Sequence, residues 1–316
     1  MYTDNCKIFS GSSNPKLAEA ICTELGVPLG KIKLSRFKSG EIYCHYEETI
    51  RNCDVFLVQT FNHPVNDHMM ELLIMMDAAR RASARTINLV VPYYGYSRQE
   101  RKAAPREPIS AKLVADLLTT AGATRILTVD LHAPAIQGFF NIPMDHLTAT
   151  DMISDYIRSK NIPNLVVVSP DAGRATTAEN LANILNAPFA IMIKKRYAHN
   201  EATITHVIGD VEGRTPVIIE DLIDTGGTIV KVVEGLKERG AGDAYVAATH
   251  PVFTDPAIKR LDHPNIREVI ITDSIALPDH APSRFKVLSL AHLFSDAIRI
   301  IIQGGSISTL FKYGGV

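Results

Sequence analysis

Apolar, β-branched runs alternate with helix-patterned segments along nearly the whole chain, and this alternation restricts the fold more than any other feature. Runs over 55–58, 88–91, 126–129, 165–168, 217–220, 245–249 and 268–272 read as strands, and helices are expected over 16–25, 67–81, 110–121, 152–159 and 177–185. Strands that are apolar along their length are buried on both faces, which calls for a mainly parallel sheet flanked by helices. With 316 residues, 46% of them hydrophobic, the chain can bury two such cores. The halves also look alike, each placing polar clusters just after strands, where open α/β sheets gather their ligands. The expectation is two similar α/β domains, 1–149 and 150–289, with the stretch 290–316 returning to the first.

A formal net charge of −1 argues against a nucleic-acid-binding surface. No apolar run reaches membrane-spanning length, and the first five residues lack the charged and apolar regions of a signal peptide. Cys6, Cys22, Cys44 and Cys53 are widely spaced without a C-x-x-C pair, so they read as reduced thiols of a cytoplasmic protein. Met69, Met70, Met75 and Met76 crowd the 67–81 helix beside Leu72, Leu73 and Ile74. So apolar a helix belongs in a core or at a subunit interface, and it favours a homo-oligomer.

The run Val217-Ile218-Ile219 ends in Glu220 and Asp221, and Asp224-Thr225-Gly226-Gly227-Thr228 follows. A helix should begin there, because Ile229, Val232, Val233 and Leu236 share one face and Gly240 can stop it. Backbone N–H groups converge at such a junction and accept a phosphate without cationic side chains. Gly226 and Gly227 permit close approach, Thr225 and Thr228 add hydroxyl donors, and the carboxylates suit ribose hydroxyls or Mg²⁺. Without Gly-Lys-Ser/Thr, the turn is not a Walker A loop.

After the 88–91 strand, Arg98, Arg101, Lys102 and Arg106 fall within nine residues between Gly95 and Pro108, a composition suited to a lid over a polyphosphate. The 126–129 strand leads into Asp130-Leu131-His132. One His beside one Asp is too little for zinc, though it could orient one Mg²⁺-bound phosphate.

These segments together resemble the ribose-phosphate diphosphokinase family. Matching strings include Arg36 to Glu41, Pro92 to Lys102, Asp130 to Phe140, Ser169 to Gly173, Lys194 to Arg196 and Glu220 to Thr228. The resemblance covers essentially the whole chain and implies two phosphoribosyltransferase-like domains. It also implies transfer of the β,γ-diphosphoryl group of ATP to the anomeric hydroxyl of ribose 5-phosphate, with Mg²⁺ as cofactor. On that reading Phe37, Ser39, Gly40, Glu41, Arg98 and Gln99 contact ATP. Arg196, Glu220, Asp221, Asp224, Thr225, Gly226, Gly227 and Thr228 bind ribose 5-phosphate. Lys194 and Arg196 are the catalytic pair, and His132 and Asp171 hold Mg²⁺. Thr49, Arg51, Ser306 and Ser308 fall in regions resembling a regulatory phosphate and ADP site, and members with this pattern are typically hexamers.

The chain also departs from the family pattern. Glu220 stands where an Asp is usual, and an extra methylene shifts a carboxylate by about 1 Å, a displacement that can cost roughly 10²-fold at a reacting centre. Ser39 and Glu100 also replace Asp, and Arg174 stands where a second Gly is common. Arg174 either supplies an alternative cation or marks altered activity. Two other readings follow: a catalytically weak paralogue serving as a regulatory subunit, and a phosphoribosyltransferase sharing only the 220–228 turn.

Overall fold

The structure, a computed structural model, describes residues 5–198, 201–278 and 280–312, without the side chains of 194–198 and 201–205. It divides into two compact units, one of Met1–Thr148, Ser274–Ala276 and Ser289–Val316, the other of Ala149–Asp273 and Leu277–Leu288.

The first unit opens with β1 (Cys6–Ser10), α1 (Pro15–Leu25), β2 (Ile32–Arg36), β3 (Ile42–Tyr46) and β4 (Asp54–Val58). It continues with α2 (Val65–Arg81), β5 (Thr86–Val90), α3 (Ser110–Ala121), β6 (Arg125–Val129) and β7 (Met144–Leu147). The strands β1-β4-β5-β6-β7 form a parallel sheet in that order. β4, β5 and β6 each bury four consecutive residues, as strands covered on both faces must. β2 and β3 form a separate antiparallel hairpin. Its alternating half-buried side chains Ile32, Leu34, Cys44 and Tyr46 rest on the first core, and the Tyr46 hydroxyl donates to the Met75 carbonyl at 2.9 Å. In α2, Met75 and Met76 are fully buried and Met69 lies against the core, whereas Met70 is exposed.

The second unit holds α4 (Thr150–Ser159), β8 (Leu165–Ser169), α5 (Ala175–Leu185), β9 (Phe189–Ala198), β10 (Glu201–Ile208) and β11 (Thr215–Ile223). Next come α6 (Gly227–Lys237), β12 (Ala244–Pro251), α7 (Ala257–Leu261), β13 (Ile266–Thr272) and β14 (Phe285–Leu288). Its sheet runs β10-β9-β8-β11-β12-β13-β14, antiparallel only between β9 and β10. Without β9 and β10, its strand order repeats that of the first unit, with β8 in the place of β1 and β11 in that of β4. The expected pair of similar parallel-sheet domains is therefore present as a shared topology. The final helix, α8 (Ala291–Gln303), belongs to the first unit and packs on α1, where Arg299 Nη2 donates to the Glu24 carbonyl at 3.3 Å.

Candidate active site

The junction of β11 and α6 organises the second unit. The strand does not stop at residue 220: β11 runs to Ile223, pairing Glu220 with Ala248, Leu222 with His250 and Ile223 with Pro251 of β12. The strand thus extends past the expected 217–220 at both ends, and Asp221 becomes a strand residue along with Glu220, a correction to the expected bounds. Polarity marked the end of the apolar run, but backbone pairing with β12 carries the strand past it. On the other side the β8–β11 ladder ends at the Val168–Ile218 pair. Beyond β8 the chain turns through a 3-10 turn, Ala172–Arg174, whose cap Asp171 accepts the Gly173 N–H at 2.9 Å.

Arg174 closes that turn against the carboxylates. Its Nη2 lies 2.5 Å from Asp221 Oδ2 and its Nε 3.6 Å from Glu220 Oε2. Further along, Asp224 Oδ1 accepts the Thr254 hydroxyl at 2.6 Å, and the Thr225 carbonyl accepts Arg260 Nη1 at 3.1 Å. Gly226 caps α6 at φ +72°, where an added Cβ would come 3.3 Å from Leu261 Cγ and 3.4 Å from the Ala257 carbonyl oxygen. The conformation therefore favours glycine, and an added Cβ would also have to press its neighbours slightly apart. Thr225 and Thr228 are exposed beside the first turn of α6, whose leading N–H groups have no partner within the helix. Thr254 and Arg260 were missed from sequence, although they follow β12, another strand whose carboxyl end should gather ligands.

The corresponding place in the first unit is closed by a network of the chain's own polar side chains. After β4, Gln59 is fully buried; its Oε1 accepts the Ser13 N–H at 3.1 Å and hydroxyl at 2.6 Å, and its Nε2 donates to Glu71 Oε1 at 2.8 Å. Glu71 in turn accepts the Ser12 N–H and hydroxyl, each at 2.7 Å. The Ser12 N–H that follows β1 is thus paired to a carboxylate of the chain itself.

The sequence-derived nucleotide residues of this unit lie on two loops tied to the start of α2. At the β2–β3 hairpin tip, Phe37 N–H donates to Glu41 O and Gly40 N–H to Phe37 O, both at 2.9 Å, with Gly40 at φ +93°. Phe37 is 57% exposed and meets Tyr43 edge-on at 5.9 Å, which leaves an aromatic surface for stacking. Ser39 donates to Glu41 Oε2 at 2.6 Å. Arg98 and Gln99 lie on a 3-10 turn, Ser97–Gln99, where Gln99 Oε1 accepts the Ser110 hydroxyl at 2.6 Å. Arg36 pairs with Asp67 at 3.1 Å and the Tyr96 hydroxyl donates to Asn66 Oδ1 at 2.5 Å, so adjacent residues of α2 anchor both loops.

The remaining sites are placed as follows. His132 is half-buried just past Asp130, which takes φ +39° as the chain leaves β6. His132 belongs to the first unit and Asp171 to the second. Among the described residues no group of three or more His, Cys, Asp or Glu could hold a metal. Mg²⁺ rarely needs one, since it is usually held by one or two carboxylates plus substrate phosphates. Asp171 supplies a carboxylate of the kind Mg²⁺ takes; the imidazole of His132 better suits a bound water or phosphate. Arg51 Nη1 donates to the Ser83 hydroxyl at 3.3 Å, and the Ser306 and Ser308 hydroxyls lie 2.7 Å apart, with Thr49 exposed. Lys194 and Arg196 lie in β9, their backbones paired with Ile204 and Ala202 of β10, and their side chains fall outside the described residues.

Parallel sheets that carry carboxylates and a glycine turn at the carboxyl end of a central strand define an α/β protein of the open-sheet, crevice-binding class. Residues 6–122 match the N-terminal domain of ribose phosphate pyrophosphokinase, and residues 170–312 the phosphoribosyl synthetase-associated domain. The chain is 50% identical over 309 residues to the ribose-phosphate pyrophosphokinase of Bacillus subtilis, covering 98% of each. To that of Oceanobacillus iheyensis it is 51% identical over 312 residues, again covering 98% of each. A phosphoribosylpyrophosphate synthetase structure from Mycobacterium smegmatis superposes with a TM-score of 0.90 at 42% identity, covering 96% of this chain and 100% of that one. The chain belongs to the ribose-phosphate pyrophosphokinase family.

Proposed function

We propose that the protein is an enzyme that moves the β,γ-diphosphoryl group of ATP to the anomeric hydroxyl of ribose 5-phosphate, releasing AMP. The observation that carries the sugar side is the Glu220–Asp221 pair on the strand that leads into the Gly226 turn. In the reaction the anomeric oxygen forms a bond to the β-phosphorus as the bond to the AMP oxygen breaks. The protein's share is alignment and neutralisation of anionic charge.

In the second unit, Asp224 to Thr228 would receive the 5-phosphate, and Glu220 and Asp221 would accept the 2- and 3-hydroxyls. In the first, Phe37 would stack on adenine beside Ser39, Gly40 and Glu41, and Arg98 and Gln99 would contact the nucleotide. Mg²⁺, held by Asp171 with His132 toward its phosphate or water shell, would offset charge on the ATP phosphates. Lys194 and Arg196 would stabilise the transferring group. Lys194→Ala should preserve the fold, checked by circular dichroism, and lower AMP release from ATP and ribose 5-phosphate by about 10²-fold or more. A rate near wild type removes Lys194 from the catalytic assignment.

The regulatory-subunit alternative gains no support from the relatives, and a phosphoribosyltransferase leaves the match to the first unit unexplained. The family resemblance supports a cytoplasmic hexamer. Among the described residues no helix is long and apolar enough to cross a membrane. Exposed Met70 on α2 and Leu113 and Leu117 along α3 favour self-association, which light scattering of the pure protein tests by mass. Arg51, Thr49, Ser306 and Ser308 would take phosphate or ADP as effectors. Arg51→Ala should then blunt phosphate activation and ADP inhibition while the KM for ATP stays unchanged; an unaltered response to both effectors removes the assignment.

A further inference from the structure

Arg174 stands where the family commonly has glycine, and the structure gives it a definite partner set. Its guanidinium spans two carboxylates from consecutive strand residues, with only 17% of its side chain exposed, against 13% for Glu220 and 8% for Asp221. A carboxylate this shielded from water needs a partner of opposite charge, and one guanidinium serves both. A guanidinium suits that position because its planar fork offers separate nitrogens to separate acceptors, whereas an ammonium acts as a single point charge. The longer arm of Glu220 reaches Nε, so the two departures from the family pattern, Glu220 and Arg174, meet in one contact.

We propose that Arg174 is a positioning and specificity-determining residue of the sugar site: it clamps Glu220 and Asp221 so that binding depends on both ribose hydroxyls. The proposal rests on the ribose 5-phosphate reading of this unit. A carboxylate fixed by the guanidinium cannot swing to replace a lost hydroxyl donor with water, so the acceptor position meant for that hydroxyl goes unfilled and the analogue is rejected. A carboxylate freed from the clamp can turn toward water, and the discrimination fades. Arg174 therefore acts through Glu220 and Asp221, without itself having to touch the sugar.

The test is calorimetric titration of the full chain, without ATP, using ribose 5-phosphate and 2-deoxyribose 5-phosphate, on the parent, Arg174→Gln and Arg174→Lys. The parent should prefer the ribose ester by about 100-fold or more, as a site built around a hydroxyl does. Arg174→Gln should bring the preference below about tenfold, chiefly by weakening ribose 5-phosphate, and Arg174→Lys should fall between, because one ammonium holds one carboxylate well. The KM for ATP, measured alongside, should stay at the parental value, while the thermal midpoint of Arg174→Gln should fall, because that change removes the cation from two shielded carboxylates. A full preference retained in Arg174→Gln overturns the proposal. If that variant does not fold, a full preference in Arg174→Lys overturns it equally. A parent that binds neither ester and releases no AMP overturns the ribose-phosphate reading itself, whereas an active parent with unselective binding overturns the clamp alone.

Discussion

Cys6, Cys22 and Cys44 lie deep enough for burial to push their thiols up, to about 12 for Cys6 and about 11 for the other two. Such thiols are poor nucleophiles at neutral pH, since the thiolate is the reactive form. At pH 8 iodoacetamide should label the native protein about 10²-fold more slowly than the urea-unfolded chain, read by mass spectrometry; equal rates contradict the burial. The linkage runs in the same direction. A thiol whose pKa is raised on folding keeps its proton longer in the native state, so its contribution is complete below the ordinary value of 9.0 and is lost as pH rises through 11 to 12. Urea unfolding from pH 8.5 to 11 should show a steeper loss of stability in the parent than in Cys6→Ala. At this scale the sequence reveals residue types that suit a chemistry but not their long-range partners. Glu220, Asp221 and the glycine turn are legible because they are consecutive. The Arg174 contact is not, because Arg174 lies 46 positions before Glu220 in the chain and the β8–β11 pairing brings the two regions together.

At the scale of elements, the fully buried parallel strands are the legible ones, since continuous apolar runs such as Val55 to Val58 leave no other reading. The β2–β3 hairpin is harder to see: its strands are half-exposed, and only the alternation of Ile32 and Leu34 with polar neighbours marks them. The bounds of β11 fail for a different reason: Glu220 and Asp221 interrupt the apolar run, but pairing with β12 and burial of Ile223 carry the strand beyond them. The α6 junction gives the sharpest prediction. Gly226→Ala forces an L residue to φ +72° and brings a methyl within 3.3 Å of Leu261 Cγ. The conformation alone costs about 1–2 kcal/mol. The variant should unfold at lower urea with an unchanged slope and bind ribose 5-phosphate more weakly. Unaltered stability and affinity would mean that the turn relaxes freely.

At the scale of the whole molecule, α8 follows the second unit in sequence yet completes the first. The sequence reading returns 290–316 to the first unit but marks no helix in it, and a hydrophobic period alone would not say which layer such a helix covers. In the structure Phe294, Ala297 and Ile298 are fully buried, and the helix lies on α1. Removing residues 289–316 would take away the helix that packs on α1, whose Leu17 and Ile21 are 1% and 0% exposed in the intact chain. Each large apolar side chain lost from such a layer is worth about 1.5–3 kcal/mol, so the loss of Phe294 and Ile298 alone is a large fraction of the about 5–15 kcal/mol that holds a domain together. The truncated chain should therefore lose amide-exchange protection first across α1 and the first sheet, with β8, β11 and β12 keeping theirs. Uniform protection across the first unit after truncation would show that α8 is an appendage, and the first core would then have to be stable without it.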